Sequence, residues 1–560
     1  MAAEECHVMV FPWLAFGHML PFLELSKKLA ANGIRISFVS TPRNLERLPS
    51  IPAHLSDTIK LVEITLPIVD GLPQNCEATV DIQQAETPYL KKAYDNLQAP
   101  FEKLLENDTP DLILIDFSPY WVPELAANVY TAATLAYMGP PDELRWGHRR
   151  KTPEAFTVAP DWFTFRSLVY HKPDYAPTML KNLHVPDESG KSSGQRLSTV
   201  VEGCQFVAIR SCKEFEGEYI DLLQKLYKKP VLPVGIFPPE RKTDNAVDSS
   251  WLSTFKWLDR KKAKSVLFVG FGSEYKMPIE QVHELAHGLE LSGISFIWIL
   301  RKPKGVDRLD LLPPNFEASV LDKGVVCLGW APQIDILAHP SIGGCLFHSG
   351  WGSIIESLGF GHPLILMPMV SDQGLNAKLL VEKGLGYDVP RNEDGSFTRD
   401  MVAESVKLVM GSRGEPIRQN ATRMKSTFCD DNLQKNYMSL FVRYLQRIYG
   451  LPNIALSIQL LIILGILQEK RESFDAASDI QMRSREVIST THPVNKGGFE
   501  RVLSSSYKGI VFCEVLRSDR ALKMVAKHWP SEMYRLDLSN ATGYGAMSVG
   551  WHAYCELTTS

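Results

Sequence analysis

The sequence predicts an α/β protein: two tandem, doubly wound, Rossmann-like domains facing each other across a cleft. Three observations predict it. The chain opens on a strand–helix–strand unit, which implies a parallel sheet. The same rhythm restarts after a polar, proline-bearing stretch near residue 240. The strands are short continuous apolar runs, as expected of strands buried on both faces.

His7 to Phe11 (HVMVF) reads as the first strand and Pro12 to Gly17 as a loop. His18 opens a helix in which Leu20, Leu23, Leu25 and Leu29 recur at helical spacing, and Asn32-Gly33 ends it. Ile34 to Val39 is the next strand. Asp111 to Asp116 (DLILID) is a buried-type strand that ends on a carboxylate, followed by Gln205 to Ile209 and Lys229 to Val234. Pro238 to Ser250 is polar and proline-bearing. This divides the chain into an N-terminal domain (1–240), a linker (241–250) and a second domain (251–450). In the second domain, strands are expected at Ser265–Gly270, Phe296–Ile299, Val325–Leu328, Gly344–Phe347 and Pro363–Met367. Helices are expected at Pro278–Ser292 and Ser353–Gly361. Ligands of such sheets sit beyond the carboxyl ends of the strands.

Residues 451–560 form a tail without readable periodicity. Its apolar run Ile454–Leu467 contains Ser457 and Gln459 and falls short of the ~20 residues of a membrane span, so it reads as a covered helix and membrane association is not expected. A net charge of −4 leaves no basic surplus for a phosphate backbone, which argues against nucleic-acid binding. Nine scattered cysteines without a CxxC point to a reducing compartment rather than a disulfide framework or zinc ribbon. The acidic start Met-Ala-Ala-Glu-Glu lacks a signal peptide's basic region. The expected location is therefore cytoplasmic.

The richest chemistry lies between Trp330 and Gln373. His-Ser-Gly-Trp-Gly-Ser (348–353) falls between a strand and a helix, where free backbone N–H groups and the helix dipole make an anion site suited to phosphate. Glu356, one turn into that helix, is placed to accept ribose hydroxyls. Asp372-Gln373 follows a strand end and faces the cleft. In the first domain His18 is the candidate general base. At a helix N-terminus the dipole disfavours the imidazolium, leaving a neutral ring to take a proton. Asp116 ends a strand on the same sheet edge and is placed to hold the other ring nitrogen.

The segment Trp330–Gln373 closely resembles the 44-residue signature of plant family-1 UDP-dependent glycosyltransferases. The resemblance extends over roughly residues 6–448, including Gly270–Ser273 (GFGS) and Gly374–Gly386. It is greatest to the branch that adds a sugar to an existing flavonoid or terpenoid glycoside. The resemblance implies a GT-B fold with the acceptor held by the first domain and the donor by the second. By position, Trp330 would stack on uracil and Gln333 contact the uridine. Ser273, His348 and Ser353 would contact the diphosphate, Glu356 the ribose, and Asp372 and Gln373 the sugar hydroxyls. Ala331, Trp351 and Gly352 complete the donor-binding set. Gly352 stands where many members have Asn. Gln373 is the type common in UDP-glucose users, but rhamnose users of this branch can share it. His18 and Asp116 fall at the family's catalytic positions. The implied reaction is a single inverting displacement between UDP-glucose or UDP-rhamnose and a small hydroxylated acceptor. It uses no metal and no separate cofactor.

Two features set alternatives. By comparison with the family, roughly nine residues, including a return strand, are missing after Asn128, and a parallel crossover needs that strand. The reading this opens is a relative that binds UDP-sugar without turnover. His283-Glu284-Leu285-Ala286-His287 fits the HExxH pattern of zinc hydrolases. Gly293 occupies the place of a third histidine, and the segment also reads as an ordinary domain helix.

Overall fold

The computed structural model of the chain describes residues 6–122, 126–128, 130–238, 249–272, 275–301 and 310–448. The chain divides into two units, Met1–Tyr444 and Leu445–Ser560. Of the second, only 445–448, the end of a helix, are among the described residues. Ser273, positions 239–248 of the linker region and the tail with Ile454–Leu467 lie outside them.

The first unit holds two sheets. The N-terminal half contains β1 (His7–Phe11), β2 (Arg35–Ser40), β3 (Ile59–Glu63), β4 (Leu112–Ile115), β5 (Ala126–Asn128), β6 (Val207–Ile209) and β7 (Val231–Pro233), in the order β3-β2-β1-β4-β5-β6-β7. The C-terminal half contains β8 (Val266–Gly270), β9 (Ser295–Leu300), β10 (Gly324–Leu328), β11 (Ile342–Phe347), β12 (Leu364–Leu366) and β13 (Gly386–Asp388), in the order β10-β9-β8-β11-β12-β13. Every neighbouring pair is parallel. The central strands β1, β4, β8 and β11 are buried along their whole length, which is why they read as unbroken apolar runs.

The helices that frame the site are α1 (Phe16–Ala30), α2 (Ala132–Met138), α3 (Lys213–Tyr227), α4 (Ile279–Ser292), α5 (Gln333–Leu337), α6 (Trp351–Gly359), α7 (Gln373–Glu382), α8 (Arg399–Met410) and α9 (Asp431–Ile448). In α1, Lys27 and Lys28 occupy the last turn, where cations complement the helix dipole. Thr131 caps α2, its hydroxyl accepting from Thr134 N–H. One apolar core runs from the N-terminal sheet into one face of the C-terminal sheet, and a second core, from Leu267 to Val409, fills the other face. Residues of α9 pack back on the N-terminal half. Tyr437 Oη accepts from Lys213 N–H at 2.9 Å, Gln434 Oε1 accepts from Ile236 N–H at 2.7 Å, and Phe206 meets Phe441 edge-on.

One expectation is corrected. The return strand that comparison placed in the missing stretch is present: β5, built from Ala126–Asn128, pairs with both β4 and β6. Ile115 pairs with Ala126, so residues 116–125 make the whole crossover, a little under the dozen or more usual for parallel strands. An Ala-rich run that favours helix is thereby held as strand. Leaving the backbone groups of β4 and β6 unpaired inside the sheet costs more than the propensity lost.

Candidate active site

Strand order reverses between β1 and β4 in one sheet and between β8 and β11 in the other. These switch points open crevices at the carboxyl ends of the strands, and the loops that follow these four strands carry most of the candidate residues.

At the first switch point, His18 lies in the first turn of α1 and Asp116 directly after β4. His18 Nδ1 and Asp116 Oδ2 are 2.9 Å apart. The same carboxylate oxygen accepts from Trp13 N–H at 2.7 Å, and Oδ1 accepts from Ser118 N–H at 3.1 Å. Three N–H groups thus hold Asp116, whose side chain is 0% exposed, while that of His18 is 14% exposed. With Nδ1–H donated to the carboxylate, Nε2 is the basic nitrogen. Phe117 and Tyr130 stand beside the imidazole at 5.6 and 6.0 Å between ring centroids, Tyr130 edge-on. Tyr130 arrives there two residues after the end of β5. The family pattern gave no reason to expect it, and only an aromatic near a strand end could have signalled it.

At the second switch point, α6 starts from Gly350, and its first intrahelical bond runs from Ile354 N–H to Gly350 C=O. The N–H groups of Trp351, Gly352 and Ser353 therefore have no partner within the helix and, with the dipole, suit an anion. A Cβ built on Gly352 would meet nothing within 4 Å. His348 packs against the backbone of Gly272, at φ +72°, and burial pushes its pKa down to about 4, which favours the neutral ring. Ser349 is held at φ +66°, a strained conformation of the kind that collects at functional loops.

Trp330 is 68% exposed with Arg301 over its ring. Ala331 C=O accepts from Gln333 N–H. The Gln333 amide donates to Glu356 Oε2, so the two residues assigned to the nucleoside do come together. Burial pushes the Glu356 carboxyl up, with Gln333 and Arg210 opposing. The Trp351 indole faces elsewhere. It donates to Arg210 C=O at 3.0 Å and stacks on Phe215 of α3, so only its backbone is offered at the helix end. Gln373 Oε1 accepts from Met369 and Val370 N–H, tying down the loop after β12.

Asp372 connects the two halves of the site. Burial pushes its carboxyl up, while Asn376 and, from the opposite half, His18 pull it down. His18 and this carboxylate therefore share one electrostatic neighbourhood.

The HELAH segment lies on α4. Glu284 receives the Arg399 guanidinium and accepts Arg399 N–H at 2.7 Å, and His287 faces Glu290. Among the described residues no group of three or more His, Cys, Asp or Glu could hold a metal, and no described helix is long and apolar enough to cross a membrane.

Two parallel sheets whose switch points share one cleft are the arrangement of the GT-B fold. Comparison with known proteins agrees. The profile of the family described as UDP-glucoronosyl and UDP-glucosyl transferase matches residues 227–450. The chain is 43% identical over 460 residues to UDP-glycosyltransferase 91C1 of Arabidopsis thaliana, covering 79% of this chain and 97% of that protein. It is 36% identical over 469 residues to the soyasaponin III rhamnosyltransferase of Glycine max, covering 80% and 97%. The structure of Arabidopsis thaliana UGT89C1 complexed with UDP-L-rhamnose superimposes with a TM-score of 0.60 at 22% identity, covering 79% of this chain and 99% of that one. The chain belongs to the plant family-1 UDP-dependent glycosyltransferases and is a UDP-sugar-dependent enzyme of that family.

Proposed function

We propose that this enzyme moves one hexosyl unit, glucose or rhamnose, from its UDP-sugar to a hydroxyl of a small plant metabolite or its glycoside, with inversion at the anomeric carbon. The observation that carries the reading is the His18–Asp116 pair, 2.9 Å apart at the N-terminal switch point. His18 Nε2 takes the acceptor hydroxyl proton as the oxygen attacks, and Asp116 stabilises the imidazolium that forms. The bond from the anomeric carbon to the diphosphate oxygen breaks, and UDP leaves. The free N–H groups at the start of α6, together with His348, would hold its developing charge. Trp330 would stack on the base, with Gln333 and Glu356 at the nucleoside and Ser353 at the diphosphate. Asp372 and Gln373 would meet the sugar. The reading includes no metal or cofactor, since fixed dipoles supply what a cation otherwise would. A relative named as a soyasaponin rhamnosyltransferase supports rhamnose as donor sugar and a saponin-type acceptor, and the family description, which names UDP-glucosyl transferase, supports glucose. A cytoplasmic location belongs to the same reading, in keeping with scattered cysteines that form no CxxC pattern.

The test is UDP release from UDP-glucose and UDP-rhamnose with a panel of flavonoid and terpenoid glycosides, for the wild type and His18→Ala. Acceptor-dependent release that disappears in the variant is expected. Folded protein that binds UDP but releases none with any acceptor would replace this reading with that of a binding relative.

A further inference from the structure

Asn376, on α7, is fully buried and lies at the meeting point of the two halves. Its Nδ2 donates to Asp372 Oδ2 at 2.8 Å and to Ser349 C=O at 3.2 Å. Its Oδ1 lies 3.1 Å from Thr131 Oγ1 and 3.2 Å from Thr134 Oγ1. These four contacts use the amide's two N–H donors and both lone pairs of its oxygen. They also leave it one orientation. A carboxylate and a carbonyl cannot donate, so turning the amide over would set its oxygen against two acceptors. The two threonines belong to the N-terminal half, Thr131 capping α2 and Thr134 lying in its first turn, shortly after β5. Asp372 and Ser349 belong to the C-terminal half, in the loops that carry the sugar and diphosphate candidates.

We propose that Asn376 is a positioning residue for donor recognition. It fixes the Asp372 carboxylate toward the hexose and registers it against the half that carries His18. The inference rests on the reading that Asp372 meets the donor sugar. A half-buried carboxylate on a flexible stem keeps one rotamer only if donors hold it. Asn376 supplies that hold, and the Thr131 and Thr134 hydroxyls aim Asn376 in turn. UDP lacks the hexose, so a fault in this relay is felt by the UDP-sugar and not by UDP.

The experiment compares dissociation constants of UDP, UDP-glucose and UDP-rhamnose, measured calorimetrically on the full chain. In Asn376→Asp the shape is kept and the N–H donors are lost. The better-bound UDP-sugar is expected to weaken about tenfold while UDP stays within about twofold. Thr131→Val with Thr134→Val should weaken UDP-sugar about threefold, and Thr131→Ser, which keeps a hydroxyl, should not. Asp372→Ala is the control for the underlying reading. If it weakens UDP-sugar but Asn376→Asp does not, the positioning role is overturned and the reading of Asp372 stands. If Asp372→Ala itself leaves UDP-sugar binding unchanged, both fall. Parallel loss of UDP and UDP-sugar in Asn376→Asp, with a lowered Tm, also overturns the proposal, because it marks a purely structural amide.

Discussion

The N-terminal and C-terminal switch points carry the two sides of the cleft in different materials. After β1 and β4 the candidate groups are side chains: an imidazole held at 2.9 Å by a carboxylate that is itself held by backbone N–H groups. After β8 and β11 they are largely backbone, the free N–H groups at the start of α6, shaped by Gly272 and the strained Ser349. Proton transfer needs a group with a tunable pKa, which the backbone lacks. Holding a diphosphate needs several fixed donors at once, which a helix end supplies without ordering any side chain. The N-terminal side should therefore fail when one functional atom changes, and the C-terminal side when local backbone shape changes.

The sharpest way to break the comparison is Asp116→Asn. An amide cannot accept from Trp13 N–H, Ser118 N–H and His18 Nδ1–H together, so one contact turns repulsive and the imidazole loses its tautomer. Turnover is expected to fall about 10²- to 10⁴-fold with UDP affinity unchanged, read by UDP release and calorimetry. Loss of UDP affinity in that variant would mean that the two sides are not separable.

Next in size is Gly272→Ala. Its φ of +72° disfavours any side chain, and a Cβ there would lie 2.8 Å from the His348 ring. UDP affinity should drop by about tenfold or more, at a strain of about 1–2 kcal/mol, while the His18 pair is untouched. Unchanged UDP binding would show that the loop after β8 takes no part in holding the diphosphate.

A smaller effect concerns stability. Burial pushes His348 and His362 from the ordinary 6.5 down to about 4. Between those values the unfolded chain takes up protons that the folded chain refuses. Their contribution is therefore full above about pH 6.5 and is lost as pH falls toward about 4. The raised carboxyls of Glu356 and Asp372 act in the opposite direction. A difference measurement isolates the histidine: His362→Gln, which can still donate to Leu337 C=O, should lose less Tm than wild type between pH 6.5 and 5. Equal slopes would remove His362 as an acid-sensitive group.

Gly352→Asn probes the same helix end in the favourable direction. The site has room for a side chain, and an added amide donor should lower the UDP-sugar KM by about threefold. A rise in KM would mean that the open space is needed by the donor itself. The smallest effect is expected at His287→Ala, which should leave turnover and zinc content at wild-type levels; lost turnover together with lost zinc would restore the hydrolase reading.

Much of this was legible in the sequence because the signals were local. Central strands had to be apolar on both faces, so β1, β4, β8 and β11 announced themselves within two residues of their observed ends. A histidine at a helix start and an aspartate at a strand end needed only adjacent strands to meet, and β1 and β4 are adjacent. β3, by contrast, was missed because three of its five residues, Lys60, Leu61 and Glu63, are exposed on an edge strand. β5 was missed because Ala-rich residues there are strand only by virtue of their neighbours. Asn376, Arg210 and Tyr130 carry no pattern of their own.

Taken by itself, the sequence determined the repeated parallel-sheet architecture, which follows from residue type and short-range spacing, while the helix-end segment and the His18–Asp116 pair were singled out as candidates by the family resemblance. Tertiary structure decided what depends on partners distant in the chain. It turned the Trp351 indole to Arg210 and Phe215, placed Tyr130 beside the base, and set Asn376 between Asp372 and two threonines more than two hundred residues away. The physical reason is that a buried hydrogen bond is specified by both of its ends, and here the two ends lie in different halves of the fold.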